Sequence, residues 1–127
     1  MGEKYIMKIY FGHSREFDYE KELYEYIRND NVISKENIIL PHEKGYEGNN
    51  SREFYASLDL FIAEISYPST GLGIELGWAY DENIPIICIY KKSSKFSSSL
   101  KVITNNFYEY KNTDELISII KKVILKK

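Results

Sequence analysis

The chain has 127 residues, of which 43% are hydrophobic and 28% charged, with a net charge of −2. That is enough sequence to bury one core without disulfide or metal staples, and it is too apolar for a disordered chain. Acids and bases are interspersed without a basic stripe, which argues against a nucleic-acid surface. In chain order, Tyr5 to Phe11 is the first apolar run with strand character. Asp18 can cap a helix running to about Arg28. Asn37 to Leu40 is a second, short strand. Ser51 can cap a helix to Leu58. Leu60 to Ile65 and Ile84 to Tyr90 are nearly unbroken Ile, Leu, Val and Phe, the pattern of strands covered on both faces of a parallel sheet. Between them a helix is expected from about Leu72 to Asp81. Phe107 to Tyr110 is a short fifth strand, and the last helix opens on Asn112 and Glu115 as a capping box. Its Leu116, Ile119, Ile120, Val123 and Ile124 keep helical spacing.

Strand and helix alternate, so the expectation is one α/β domain over residues 1–127, a five-stranded parallel sheet with right-handed crossovers in a three-layer, Rossmann-like arrangement. Ligands of such sheets bind beyond the strand C-termini, near a reversal of strand order. The segments expected there are Gly12 to Phe17, Pro41 to Gly48, Ser66 to Gly73 and Lys91 to Ser99, which concentrate Gly, Ser, His and charge.

Several features read as structural. Cys88 sits in the fourth apolar run as an inert thiol. The 12 tyrosines can fill cores and still offer hydroxyls, so their number decides little. Lys121, Lys122, Lys126 and Lys127 form a solvated helix face that complements the dipole. Two separated histidines and one cysteine lack zinc-ligand spacing, so no metal and no cofactor is expected. No leader pattern or long apolar span occurs, so a cytoplasmic protein without a membrane role is expected. Without secretion the sequon Asn49-Asn50-Ser51 carries no meaning.

The informative stretch runs from Asp59 to Gly77 and contains Pro68-Ser69-Thr70-Gly71-Leu72-Gly73-Ile74-Glu75-Leu76-Gly77. Gly71 and Gly73 allow backbone amides to approach an anion at a helix start, and Ser69 adds a hydroxyl donor. Glu75 then falls in the first helical turn, where the dipole favours an ionised carboxylate. Such a carboxylate can attack a sugar carbon; alternatively it only complements the dipole on a surface helix. The glycines do not form the dinucleotide fingerprint, since Leu76 stands where its third glycine belongs.

This stretch resembles the signature of the nucleoside 2-deoxyribosyltransferase family, which includes the 2′-deoxynucleoside 5′-monophosphate N-glycosidases. Lys8 to Ser14 resembles the family's first strand and loop, and Ile86 to Tyr90 its fourth strand. The resemblance implies a flavodoxin-like parallel sheet, a homodimer with shared active sites, and a nucleotide or nucleoside substrate. It implies cleavage of the bond between base and sugar, with Glu75 forming a covalent glycosyl-enzyme that water or a second base resolves. Tyr10 matches a tyrosine that positions this nucleophile; a core strand tyrosine is the alternative. Ser69 matches a serine of the monophosphate hydrolases, where nucleoside transferases carry a carboxylate that would repel phosphate. Ser14 and Ser99 match further phosphate-binding serines, Ser99 coming from a neighbouring subunit. Arg15 can pair with phosphate.

The chain departs from that pattern at Ser51, where the family places an aspartate beside the base; the nearest carboxylate is Glu53. His13, His42 and Glu43 are candidate substitutes for proton transfer, a histidine being suited to it near neutral pH. His13 replaces a small residue between Gly12 and Ser14, and the following loop lacks glycines, so the pocket wall is expected to differ. Glu64 fits the pattern as a group that orients the loop. Three other readings remain open: a deoxyribosyltransferase passing the sugar to a second base, a non-catalytic nucleotide-sensing module, and a purely structural partner protein, which fold alone does not exclude.

Overall fold

The structure is a computed structural model and describes residues 5–46, 48 and 51–126. Asn49 and Asn50 of the sequon, and Lys127 of the terminal lysine group, lie outside the described residues. Five parallel strands form one sheet in the order β2-β1-β3-β4-β5: β1 (Lys8–His13), β2 (Asn37–Ile39), β3 (Leu60–Glu64), β4 (Ile86–Lys91) and β5 (Phe107–Tyr110). A π-helical turn, Glu20–Tyr24, runs into α1 (Glu25–Asn29); α2 (Arg52–Ala56), α3 (Thr70–Asp81) and α4 (Thr113–Leu125) follow. The expected five-stranded α/β fold is therefore present. Among the described residues no helix is long and apolar enough to cross a membrane.

Side-chain alternation along β1 divides the core. Ile9 and Phe11 join Leu23, Ile27, Leu116 and Ile120 on the face covered by α1 and α4. Tyr10 joins Tyr55, Phe61, Leu72 and Leu76 on the face covered by α2 and α3. The first crossover leads from β1 outward to β2, and the next returns past β1 to β3, so the strand order reverses between β1 and β3. In this topology a ligand crevice is expected at that point.

Several boundaries differ from the sequence reading. β1 begins at Lys8 rather than Tyr5, because Tyr5 and Ile6 are exposed and Tyr5 donates its hydroxyl to Asp59 at 2.7 Å. The strand continues through Gly12 and His13, paired with Ala63 and Glu64. β4 begins at Ile86, since Pro85 has no amide to donate; its carbonyl accepts from Phe61 N–H at 3.0 Å. Asp18 starts the first helix as expected, its Oδ1 accepting from Lys21 N–H at 3.4 Å and its carbonyl from Glu22 N–H at 2.9 Å, but Glu20–Tyr24 is π-helical rather than regular α-helix. α3 begins two residues earlier than expected, capped by Ser69, whose Oγ accepts from Leu72 N–H at 3.2 Å. α4 keeps its expected cap, Asn112 Oδ1 accepting from Glu115 N–H at 2.9 Å. The Glu115 carboxylate, however, reaches Lys111 N–H at 2.8 Å rather than the cap's own amide.

Candidate active site

Glu75 lies in the second turn of α3, not the first, because the helix already starts at Thr70. That corrects the expectation that the dipole end holds its carboxylate ionised. Its side chain is half-buried and turns toward α2 and β1. Tyr10 on β1 donates its hydroxyl to Glu75 Oε2 at 2.7 Å. Tyr55 on α2 donates to the same oxygen at 2.8 Å. Among the described residues nothing bonds to Oε1. Burial pushes the Glu75 carboxyl above its ordinary value, and the two hydroxyl bonds pull it back toward the ionised form. The phenols are themselves pushed up, Tyr10 and Tyr55 first by burial and then by the Glu75 charge, so both remain protonated donors.

Packing fixes these rings. Tyr10 meets Tyr55 edge-on at 5.5 Å between ring centroids and leans on Phe61 at 5.0 Å. Tyr55 in turn contacts Trp78 at 5.6 Å. α2 is short, and Ser51 starts it by accepting Phe54 N–H at 3.2 Å. Ser51 thus acts as a helix cap at the place where the family aspartate is expected, and Tyr55, one turn further, reaches the carboxylate instead. Sequence reasoning missed Tyr55. Its signal was a tyrosine four residues after a good N-cap residue, which is where a short helix turns a side chain back over its own start.

Ser69 and Ser99 line one cavity of about 490 Å³ between α3 and residues 96–103, with Ile65, Leu72, Gly73 and Leu100. Ser99 therefore shares a cavity with Ser69 within a single chain. Glu75 does not line it and lies on the other flank of the helix. Of the two glycines expected to offer amides, only Gly71 is placed to do so: the Gly73 amide is used inside the helix, bonded to Ser69 C=O at 3.1 Å. With Leu72 N–H held by Ser69 Oγ, the amides of Thr70 and Gly71 are those a helix start leaves without intrahelical acceptors.

Other expected site residues are placed elsewhere. Gly12 is a packing glycine: a Cβ there would lie 2.6 Å from Phe61 Cε1 and 2.7 Å from Leu72 Cδ1. His13 is buried on the α1 face, opposite Glu75. Its Nδ1 lies 2.7 Å from Ser14 C=O, which can only accept, so Nδ1 carries the proton. Its Nε2, 2.6 Å from Tyr24 Oη, then accepts the Tyr24 proton, and Tyr24 Oη accepts His42 N–H at 3.0 Å. Burial lowers the His13 pKa to about 4. The imidazole is buried, bonded at both nitrogens and placed on the sheet face opposite Glu75.

Ser14 is buried as well, its Oγ accepting from Glu16 N–H at 3.0 Å. His42 and Arg15 are exposed at the rim, close enough that the Arg15 charge adds to burial in lowering the His42 pKa. Glu43 is clamped by Arg28, with bonds of 2.7 and 2.5 Å, and is not free for proton transfer. Glu64 behaves as expected of an orienting group. It accepts from Ser66 N–H at 2.6 Å, from Ser66 Oγ at 2.8 Å and from Tyr110 Oη, fixing the turn into α3. Cys88 is buried, its thiol pushed up to about 12. Among the described residues no group of side chains could hold a metal ion.

Comparison with known proteins gives a consistent picture. A protein of Syntrophotalea carbinolica provisionally named 2′-deoxynucleoside 5′-phosphate N-hydrolase 1 is 33% identical over 69 residues, 52% of this chain and 49% of its own. A Methanococcoides burtonii protein of the same provisional name is 32% identical over 71 residues, 56% of this chain and 57% of its own. The chain thus matches about half the length of these two relatives. A Nematostella vectensis protein, again so named, is 29% identical over 136 positions covering 90% of this chain and 92% of its own. Sequence thus bears out the resemblance to nucleoside 2-deoxyribosyltransferase-like proteins. No family model matches the chain. Two solved structures share the fold. A conserved protein from Enterococcus faecalis aligns with TM-score 0.65 and 19% identity over 93% of this chain and 99% of its own. A CMP N-glycosidase from Clostridium botulinum aligns with TM-score 0.59 and 20% identity over 89% of this chain and 98% of its own.

Proposed function

We propose that the protein is an enzyme that cleaves the N-glycosyl bond of a nucleoside 5′-monophosphate, with Glu75 as nucleophile. The observation that supports this is the bonding of the Glu75 carboxylate. One oxygen is held by Tyr10 and Tyr55, and the other has no partner among the described residues. The pair sits where the strand order reverses, between β1 and β3. Oε1 attacks the anomeric carbon, the base departs with the bonding electron pair, and a glycosyl ester forms on Glu75. Water then attacks the same carbon, its hydroxyl remaining on the sugar and its proton balancing the base, and the carboxylate is released. The relatives' shared name and the family pattern around Glu75 point to the same substrate class.

The phosphate falls to the start of α3, where the Thr70 and Gly71 amides have no intrahelical acceptor and Ser69 carries a hydroxyl. Glu75 stands six positions after Ser69, about 9 Å of helical rise, a span that a nucleoside monophosphate can bridge. Ser99 adds a hydroxyl on the Ser69 side. Self-association belongs to the same proposal: Ile74 on α3 and Val102 beside the cavity segment are large apolar side chains left exposed.

The test is incubation with deoxyribo- and ribonucleoside 5′-monophosphates and chromatographic detection of free base. Wild-type protein releases base, and Glu75→Gln does not. Absence of release across both panels refutes the enzymatic reading. Thermal stabilisation by a monophosphate without turnover would then favour the sensing module. Base exchange in the presence of a second free base would instead identify a transferase.

A further inference from the structure

Tyr46 has a hydroxyl that is buried and makes no hydrogen bond among the described residues. A buried donor without a partner costs free energy, so one retained in a folded protein calls for a physical account. The local backbone is built to place it. Gly45 has φ of 89°, a left-handed conformation that favours glycine, and turns the chain so that Tyr46 packs on the α2–α3 face of the core. The turn is anchored at Glu43: Tyr46 N–H bonds Glu43 C=O at 3.0 Å, and Glu43 is gripped by Arg28. Gly48 lies against the hydroxyl, with no room for a Cβ between them. The hydroxyl also lies within electrostatic reach of the reacting group. Burial and the Glu75 charge push the Tyr46 pKa up, so it stays a proton donor. The unpartnered donor thus packs against the same cluster as Tyr10 and Tyr55, the two residues that hold Glu75.

We propose that Tyr46 donates its hydrogen bond to the departing base, and so assumes the role left without a carboxylate at Ser51. This deepens the proposed function and rests on it. The topology supports the base rather than the phosphate as its partner. The Ser69 cavity opens toward residues 96–103, on the β4 and β5 side of α3, whereas Tyr46 follows β2 at the other side of β1. A monophosphate with its phosphate at Ser69 and its anomeric carbon at Glu75 projects its base toward β2. When the C1′–N bond breaks, the electron pair moves onto the base, and the Tyr46 O–H stabilises that charge. The proton that completes the free base comes from the water that later hydrolyses the glycosyl ester.

The experiment compares wild type, Tyr46→Phe and Glu75→Gln on two substrates. One is a natural monophosphate that wild type cleaves, and the other is its analogue with 4-nitrophenoxy in place of the base, which leaves as 4-nitrophenolate. Donor assistance of this kind is worth about 10²-fold or more. Tyr46→Phe is therefore expected to lower kcat about 100-fold on the natural substrate. It should change the nitrophenyl reaction only a few-fold, because that leaving group carries its own charge well. Glu75→Gln abolishes both. The melting temperature of ligand-free Tyr46→Phe should equal or exceed that of wild type, because an unpaired buried hydroxyl has been removed. Equal slowing of both substrates, or no slowing of either, overturns the assignment while leaving Glu75 chemistry intact. A fall in melting temperature with unchanged turnover also overturns it, showing a structural hydroxyl. Wild-type protein that releases no base from either substrate overturns both this proposal and the one beneath it.

Discussion

Removing the Tyr55 hydroxyl should move the pH dependence of catalysis without dismantling the site. Tyr55→Phe keeps the ring that packs on Tyr10 and Trp78 and deletes one of the two donors on Glu75 Oε2. A hydrogen bond to a charged acceptor is worth about 1.5–3 kcal/mol, and the lower end suits a half-buried carboxylate. At about 1.36 kcal/mol per pKa unit, the Glu75 pKa should rise by about one unit beyond the value that burial already gives it. The acid limb of kcat/KM against pH, which reports the free enzyme, should shift upward by about one unit, with activity recovering on the alkaline side. The assay is base release from a monophosphate over a pH series. A uniform loss at every pH would mean that Tyr55 contacts substrate. An acid limb that does not move would show that its bond to Glu75 does not govern ionisation, and the argument from the carboxylate's environment would fail.

Three further expectations follow from the same geometry. Glu75 has a folded pKa raised by burial, so the native state holds its proton more tightly than the unfolded chain, and stability falls as pH rises from about 4.5 through the raised value. Glu75→Gln should therefore melt higher than wild type at pH 8, with the gap closing below pH about 4.5, measured by thermal denaturation. His13 has the opposite sign. Its folded pKa of about 4 lies below the ordinary 6.5, so its contribution is complete above 6.5 and is lost as pH falls toward 4, by about 3 kcal/mol. Urea unfolding at pH 7.5 and 4.5 should show that loss in wild type and a flatter profile in His13→Gln. Ser69→Asp keeps a good helix cap and so should change stability by less than about 0.5 kcal/mol. It should raise KM for a monophosphate by 10-fold or more, as about 1.4 kcal/mol of repulsion would, and leave the unphosphorylated nucleoside unaffected.

The layered fold was legible because buried parallel strands write themselves as unbroken apolar runs, and β3, β4 and β5 lie within two residues of where those runs place them. The start of β1 was not, since the apolar Tyr5 and Ile6 precede the first sheet pairing at Lys8. Glu75 was legible through its motif, but its environment was not. Whether Ser69 or a later residue begins α3 decides which turn Glu75 occupies, and the capping bond that settles this is a three-dimensional fact. The placement of His13 was hidden for a related reason. Residue type suggests proton transfer, while His13 faces the other side of the sheet because β1 alternates and Tyr10 takes the Glu75 side. Tyr55 and Tyr46 were hidden in a composition rich in tyrosine. What distinguishes them is where their hydroxyls end, which no periodicity encodes.

The two glutamates of the α3 entrance show why bonding, more than burial alone, separates structure from chemistry. Glu64 ends β3 with both oxygens taken, one by the Ser66 amide and one by the Ser66 and Tyr110 hydroxyls. Its lone pairs are committed to holding the turn, so attack on a carbon would require breaking that turn. Glu75 accepts two bonds, both at Oε2, and no cation pairs with it among the described residues. A lysine or arginine partner would have stabilised the carboxylate in the ground state and blunted its attack. Phenols bind Oε2 whether the group is a carboxylate or the carbonyl of a glycosyl ester, so they need not be displaced as the ester forms. They also favour the carboxylate as it departs in the second half of the reaction. Under the proposed mechanism the same two donors would serve both steps, and Oε1 would be the oxygen that meets the sugar.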